Sequence, residues 1–363
     1  MSTPTTASSC SPFSIGNRVI GPGAPIYVIA EMSANHNQDY EQAAAIVRAA
    51  KEAGADAIKL QTYTPETMTL DLRTPVFKIG QGTIWEGKNL YELYGEAFTP
   101  WDWQPRLKAL AEELGMDCFS TPFDATSVEF LEKMQLPAYK IASFEIVDLP
   151  LIRCVAQTGK PLIMSTGMAS MAEVEDAVTA FRSAGGTQLA LLKCTSAYPA
   201  KPQDMNLRTI PHLAATFGVP AGLSDHTLGI SVPVAAVALG ACIIEKHFTL
   251  SRATPGPDSA FSLEPAEFKA MVDAVRTTEQ ALGRVSYELL ENEKASRVFR
   301  RSLFVVANMT AGDVFSKKNV RSIRPGHGLP PKYVDVVLGR KAAASIARGT
   351  PLDWPLIAGA SAS

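Results

Sequence analysis

Two histidines are set where they could do chemistry. His226 lies in GLSDHTLG (222–229) and His247 closes CIIEKH (242–247), each at the end of a short apolar run, in a chain with 5 histidines. Two neutral imidazoles suit a borderline divalent cation, with water and ligand oxygens completing an octahedral shell for Mn²⁺, or for Mg²⁺ or Co²⁺. A pair of hydrogen-bonded core histidines is the other reading. The chain has no Cys pair at zinc spacing and no HExxH, which argues against a structural zinc site.

Lys59, Lys140 and Lys193 sit inside the apolar runs DAIKLQT, AYKIASFE and LALLKCTS. A lysine there needs a reason, because burying an unpaired ammonium is costly. Aimed into one mouth with Ser143, Ser165 and Ser196, the three would cradle a phosphate or carboxylate. A Schiff-base lysine and simple snorkelling at strand ends remain alternatives. Glu31, Asp225 and Asp258 could bind sugar hydroxyls or amide N–H groups, or move protons, and Glu145 is placed for general acid–base work near the cradle. Arg324, in SIRPGHG (322–328), reads by itself as a surface arginine.

These residues need elements to bring them together. From residue 26 to about 285 the chain alternates short apolar runs with longer segments, such as DYEQAAAIVRAAKEAG, whose apolar residues recur every three to four positions and which end at Gly. The runs are YVIAEM, DAIKLQT, MDCFSTP, AYKIASFE, PLIMSTG, LALLKCTS, AGLSDH and CIIEKHF. Strand-then-helix units repeated eight times predict an α/β fold, a (β/α)8 TIM barrel over residues 20–285. An open doubly wound sheet is the alternative, but the first turn, EMSANHNQ, lacks the GxGxxG that would favour it. Glu31, Lys59, Gln61, Lys140, Ser143, Ser165, Lys193, Asp225, His226 and His247 all fall near the C-terminal ends of their runs, which converge on one mouth in a barrel. The two histidines end neighbouring strands and are expected to meet.

From about residue 290 the composition changes to short β-type runs and Gly turns. The charged LLENEKASR region predicts a linker at 286–298, followed by a small domain at 299–363. The first nineteen residues, MSTPTTASSCSPFSIGNRV, are expected to form a flexible N-terminus; they lack the apolar core of a secretory signal, and the expectation is a cytoplasmic protein. Hydrophobic residues make up 46% and charged residues 19%, with formal net charge −2. Without a basic excess nucleic acid is not an expected partner, and no segment reaches the roughly 18 continuous apolar residues of a membrane span. The odd set Cys10, Cys118, Cys154, Cys194 and Cys242 fits reduced thiols better than disulfides.

A resemblance now becomes specific. IAEMSANHN (29–37), DAIKLQTYTPETMTLD (56–71), YKIASFEI (139–146), IMSTGM (163–168), CTSAYP (194–199), GLSDHTLG, EKHFTL (245–250) and GPDSAFSLEP (256–265) resemble the sialic acid synthase family, over about residues 17–358. The tail resembles that family's antifreeze-like (SAF) domain. Within the family, EMSANHN and GTIWEGKNLYELYGEAFTPWDW (82–103) are similar to the branch that makes pseudaminate, while CTSAYP carries Ser196 where sialic acid synthases carry Asn or Thr.

The resemblance implies condensation of phosphoenolpyruvate with an amino-sugar aldehyde, 2,4-diacetamido-2,4,6-trideoxy-altropyranose, to give pseudaminate destined for flagellin or surface glycans. Sister branches make legionaminate or N-acetylneuraminate. It implies that Lys59, Lys140, Ser143, Ser165, Ser196 and Ser224 hold phosphoenolpyruvate, that His226 and His247 bind the divalent cation, and that Glu31, Gln61, Tyr198 and Asp258 line the sugar site. It also implies a domain-swapped homodimer in which Arg324 reaches the partner subunit's site and contacts the substrate's acyl group.

Overall fold

The computed structural model describes residues 10–360. The chain divides between Gly283 and Arg284 into two compact units.

The first unit opens with an antiparallel hairpin, β1 (Phe13–Ile15) and β2 (Arg18–Ile20). Eight parallel strands follow: β3 (Tyr27–Glu31), β4 (Ala57–Thr62), β5 (Asp117–Pro122), β6 (Tyr139–Ile141), β7 (Leu162–Ser165), β8 (Leu189–Cys194), β9 (Ala221–Asp225) and β10 (Ile243–His247). They close into a barrel in sequence order, with β10 pairing β3. The expected fold class therefore holds, and the open-sheet alternative falls.

The first unit's helices are α1 (Tyr40–Glu52), α2 (Pro65–Met68), α3 (Leu90–Ala97), α4 (Gln104–Glu113), α5 (Ala125–Lys133), α6 (Leu149–Ala156), α7 (Met171–Ser183), α8 (Thr209–Phe217), α9 (Ser231–Ala238) and α10 (Pro265–Leu282). Local chemistry sets their ends. Asp39 caps α1 by accepting the Glu41 N–H at 2.8 Å, and Ser170 with Glu173 forms a capping box at α7. Gly218 ends α8 in the left-handed conformation at φ 65°. No helix among the described residues is long and apolar enough to cross a membrane.

Side chains two apart on a strand share a face. Tyr27, Ile29, Ala57, Phe119, Ala138, Ile163, Ala190, Leu192 and Ile243 form one buried cluster inside the barrel, and Phe13, Ile15 and Ile20 of the hairpin belong to it. Burying each large member is worth about 1.5–3 kcal/mol. Arg18 fastens the hairpin to Asp117 at 3.0 Å and to Asp56 at 3.5 Å, beside the starts of β5 and β4. The flexible N-terminus expected through residue 19 is thus a structured hairpin at Phe13–Ile20, because Ile15 and Ile20 are completely buried. Residues 1–9 of that expectation lie outside the described residues.

The second unit has its own core of Leu303, Val305, Phe315, Val320, Val337 and Leu352, among others. Its elements are α11 (Glu291–Lys294), an antiparallel pair β11 (Ser302–Val305) and β12 (Val320–Ile323), and α12 (Val334–Val337). Residues 286–298, expected as a linker, are exposed and include α11. All five cysteines are free.

Candidate active site

The inward faces of the strands continue past the apolar cluster to the C-terminal mouth. There they present Glu31 on β3, Lys59 and Gln61 on β4, Lys140 on β6, Ser165 on β7, Cys194 on β8, Ser224 on β9, and Glu245 and His247 on β10; Ser143, Glu145, Tyr198, His226 and Asp258 come from the loops. Together they line a cavity of about 410 Å³. The strand expected to run through Glu145 ends at Ile141, so Ser143 and Glu145 occupy the loop after β6.

The floor is ionic. Lys59 Nζ pairs with Glu31 and lies 3.9 Å from Glu245, while Lys140 Nζ is 3.1 Å from Glu245 Oε1. Ser224 Oγ donates to the same Oε1 at 2.9 Å, and Lys59 Nζ donates to Thr121 at 3.3 Å. Burial opposes ionisation of Glu245, but Lys140 and Lys59 hold its carboxyl down to about 2. Burial pushes the Glu31 carboxyl up against the pull of Lys59. Lys59 is shared between Glu31 and Glu245, and Lys140 faces Glu245. Burial favours the protonated form of Glu31, and in that form the floor keeps positive charge for an anionic ligand.

The serines gather beside this floor. Gly167 N–H donates to Ser143 Oγ at 3.1 Å, and a Cβ at Gly167 would come within 2.7 Å of that oxygen and closer still to Ser196 Oγ. Only glycine leaves this corner open. Ser165 Oγ is buried without a hydrogen-bond partner in the structure.

His226 and His247 meet as expected, with ring centroids 5.3 Å apart. His226 Nδ1 lies 3.0 Å from the Thr195 carbonyl and donates to it, which leaves Nε2 as the nitrogen a cation could take. Burial lowers the ring but the Cys194 sulfur raises it more, so a cation at Nε2 binds in competition with a proton. His247 Nδ1 is buried with no partner. Burial, with the neighbouring charges of His226, Lys59 and Lys140, pushes His247 well below its ordinary value, so its ring is neutral. His36 is the contrast: its Nδ1 accepts from Gln38 N–H at 3.1 Å and its Nε2 lies 3.2 Å from Thr99 Oγ1, as in a satisfied core histidine. The donor set at His226 and His247 therefore fits a divalent cation held by two imidazoles. No group of three or more His, Cys, Asp or Glu is so arranged among the described residues, and the remaining ligands would be water and substrate oxygens.

Beside the histidines, Gln61 Nε2 donates to Glu31 Oε1 at 2.9 Å and to Ser33 Oγ at 2.8 Å, and Ser33 in turn donates to Asp258. Tyr198 packs at a tilt against His226, with ring centroids 4.4 Å apart. Burial pushes the Glu145 carboxyl up to about 7, and its Oε2 is buried without a partner.

Lys193, expected in the cradle, turns away from it. The inward residues of β8 are Ala190, Leu192 and Cys194, so Lys193 has the opposite parity, and its Nζ bonds the Cys194 carbonyl at 2.6 Å and Thr195 Oγ1 at 3.2 Å. Asp225 also has outward parity and pairs with Lys246 in a completely buried ion pair. Arg324 belongs to the second unit, exposed just after β12.

The sequence reading missed Glu245 and Cys194. Glu245 had a signal, since it precedes His247 by two residues and must share its face. The Cys194 thiol is opposed by burial yet held down to about 7 by His226, with Ser143 and Lys140 adding.

Such a mouth on a closed parallel barrel defines a TIM-barrel protein with its chemistry at the C-terminal face. The chain belongs to the NeuB family, which matches residues 46–287, and a SAF domain matches residues 300–358. It is 46% identical over 332 residues to a pseudaminic acid synthase of Helicobacter pylori, covering 90% of this chain and 96% of that one. An N,N'-diacetyllegionaminic acid synthase of Legionella pneumophila is 37% identical over 339 residues, covering 92% and 95%. The crystal structure of the N-acetylneuraminic acid synthetase of Leptospira borgpetersenii in complex with citrate superposes with a TM-score of 0.71 at 32% identity, covering 79% of this chain and 95% of that one.

Proposed function

We propose that the protein is a pseudaminic acid synthase, condensing phosphoenolpyruvate with 2,4-diacetamido-2,4,6-trideoxy-β-L-altropyranose and water to give pseudaminate and phosphate. The observation that carries the reaction class is the floor: two buried ammoniums, Lys59 and Lys140, converge on Glu245 in the cavity that also holds His226 and His247. The choice of branch rests on 46% identity to the pseudaminate enzyme against 37% to the legionaminate enzyme.

In this reading Lys59 and Lys140, with Ser143, Ser165, Ser196 and Ser224, bind the phosphate and carboxylate of phosphoenolpyruvate. Their charge is fixed before substrate arrives, which is where most of the rate enhancement arises. Lys193 has no part, given its outward parity. Glu31, Gln61, Tyr198 and Asp258 orient the open-chain sugar so that C3 of phosphoenolpyruvate faces its C1. His226 and His247 would hold a divalent cation, Mn²⁺ or in its place Mg²⁺ or Co²⁺, which when bound would supply Lewis-acid polarisation of the aldehyde oxygen. The C2=C3 π pair forms the C3–C1 bond as the aldehyde C=O opens to an alkoxide. Water adds at the cationic C2, its first proton passing to Glu145 and on to the C1 oxygen, and the C2–O bond then breaks as the C2 hydroxyl becomes the ketone and its proton leaves with phosphate. Glu145, poised near 7, suits that proton transfer.

The finer setting follows the same resemblance. The protein works in the cytoplasm as a domain-swapped homodimer, Arg324 of one protomer completing the site of its partner, and its product goes to flagellin or surface glycans. The exposure of Arg324 supports its availability for this.

The test is phosphate release and product mass with phosphoenolpyruvate, Mn²⁺ and each candidate amino sugar in parallel. Product with the altrose sugar alone is expected. Preference for the legionaminate or N-acetylneuraminate precursor moves the protein to a sister branch. Sugar binding without phosphate release makes it a glycan-binding protein.

A further inference from the structure

The cavity has two unlike ends, and the mechanism uses only the ionic one. The other is built by residues 63–103, the connection between β4 and α4. Most such connections run a few residues, and much longer ones in compact domains commonly serve the site. This one carries α2 and α3.

Helix α3 places Leu90, Leu93, Tyr94 and Ala97 on the cavity, a spacing of i, i+3, i+4 and i+7 that makes one continuous face. An apolar helical stripe ordinarily packs on the core; here it is the wall of a binding site. Asn89 starts the helix by accepting the Tyr91 N–H at 2.9 Å, so the face is set by a defined cap. The preceding segment folds back on itself, with Ile79 N–H donating to the Lys88 carbonyl at 2.9 Å and Gly87 N–H to the Ile79 carbonyl at 3.0 Å. It adds Ile79 and Trp85 to the same wall. Trp85 is held from two sides, by its indole N–H on the Pro257 carbonyl at 2.9 Å and by its ring 5.4 Å from that of Tyr198. Tyr198 in turn packs on His226, so the wall begins where the reacting end of the sugar is placed.

We propose that this wall, the cavity-facing side of α3 with Ile79 and Trp85, is a specificity-determining subsite for the deoxygenated C6 end of the sugar. The proposal rests on the reading of the protein as a nonulosonic acid synthase and names the substrate class it takes. A C6 methyl loses nothing against Leu90 and Leu93. A C6 hydroxyl placed against those two side chains finds aliphatic carbon where water had been and leaves its hydrogen bonds unmade, unlike one placed at the Thr83 hydroxyl or the Tyr94 phenol that line the same cavity. The wall therefore sorts 6-deoxy sugars from their 6-hydroxy counterparts. It does not by itself sort the altro from the manno configuration, which falls to the polar groups Glu31, Gln61 and Asp258.

The experiment uses the full-length, Mn²⁺-loaded protein and the 2,4-diacetamido-2,4,6-trideoxy sugar beside its 6-hydroxy analogue. Calorimetric binding of each sugar accompanies turnover and the KM for phosphoenolpyruvate. The wild type is expected to favour the 6-deoxy sugar by at least about tenfold in kcat/KM. Leu93→Asn is expected to reduce that preference about tenfold through the sugar's KM, leaving the KM for phosphoenolpyruvate unchanged, and Leu93→Met to restore it. Leu90→Asn, at a half-buried position, gives the same reading if the Leu93 variant fails to fold. Equal use of both sugars by the wild type, or variants that keep the full preference, would overturn the subsite while leaving the synthase reading intact. Preferential binding of the 6-deoxy sugar without phosphate release keeps the subsite and overturns the reaction; binding of neither sugar overturns both.

Discussion

Lys140 Nζ and Glu245 Oε1 lie 3.1 Å apart although their strands, β6 and β10, stand on opposite sides of the closed barrel. The lysine spans the lumen, and Glu245 ties it to Lys59 and Ser224. Removing one partner of a buried ion pair costs about 3–5 kcal/mol, because the other charge is left uncompensated. Glu245→Gln is therefore expected to lower the melting temperature by several degrees. Phosphoenolpyruvate, which brings anionic charge to the same ammoniums, should restore more stability to the variant than it adds to the wild type. Thermal melts with and without the ligand read both effects, and an unshifted melting temperature would contradict the clamp.

The parity of the lysines separates their roles. Lys59→Met and Lys140→Met remove charge from the floor and are expected to reduce kcat/KM for phosphoenolpyruvate by about 10²–10³, the scale of losing one preorganised electrostatic group. Lys193→Met, outward on β8, is expected to change it less than about threefold. Borohydride added during turnover should label none of them if, as proposed, they serve as charges and not as nucleophiles. Steady-state kinetics and intact mass decide both points, and a trapped adduct would restore the Schiff-base alternative.

Glu145 predicts a pH dependence. Its carboxyl is raised to about 7 in the folded protein, mainly by burial. The folded state therefore holds a proton that the unfolded state has released between roughly pH 4.5 and 7. Its contribution to stability is full below that window and is lost as pH rises through it, by at most ~3 kcal/mol. Glu145→Gln should match the wild type in denaturant melts at pH 4.5 and exceed it at pH 8. As an acceptor of the water proton, Glu145 should also give a rise in kcat through about pH 7 that the variant lacks. A variant with an unchanged pH profile would remove Glu145 from the proton transfer.

The histidine pair predicts metal dependence. Chelation is expected to abolish turnover and Mn²⁺ to restore it. His226→Ala and His247→Ala should each weaken Mn²⁺ binding by at least about 100-fold, as losing half of a two-residue donor set requires. His36→Gln, at a histidine whose ring nitrogens are both engaged, should leave it unchanged. Electron paramagnetic resonance of free against bound Mn²⁺ reads the affinity directly, and tight binding by both alanine variants would sink the assignment.

Much of this was legible in the chain because a parallel barrel writes itself plainly. Its strands are short apolar runs, and a Lys, His or Glu within one is conspicuous. His226 and His247 close neighbouring runs, and the structure brings their rings to 5.3 Å. What the runs alone conceal is parity: Lys193 and Asp225 looked like mouth residues by position along the chain, yet side chains alternate and both face outward. Counting from His247 or from Ser224 would have turned Asp225 away and brought Glu245 in. The hairpin at Phe13–Ile20 was hidden by its Ser-rich setting; Ile15 and Ile20 are too few to make a pattern and take their meaning from the barrel floor they cover. The wall of α3 was equally unreadable, since an apolar helical face looks the same whether it packs on a core or on a substrate.

The most direct measurement uses phosphoenolpyruvate labelled with ¹⁸O at the oxygen bridging C2 and phosphorus, with Mn²⁺ and the 2,4-diacetamido altrose sugar. The expected result is a product of the mass of pseudaminate, formed one for one with inorganic phosphate that carries the label, because the C2–O bond is the one that breaks. Label retained in the sugar acid, or sugar and phosphoenolpyruvate recovered unchanged from folded, metal-loaded protein, would contradict the account.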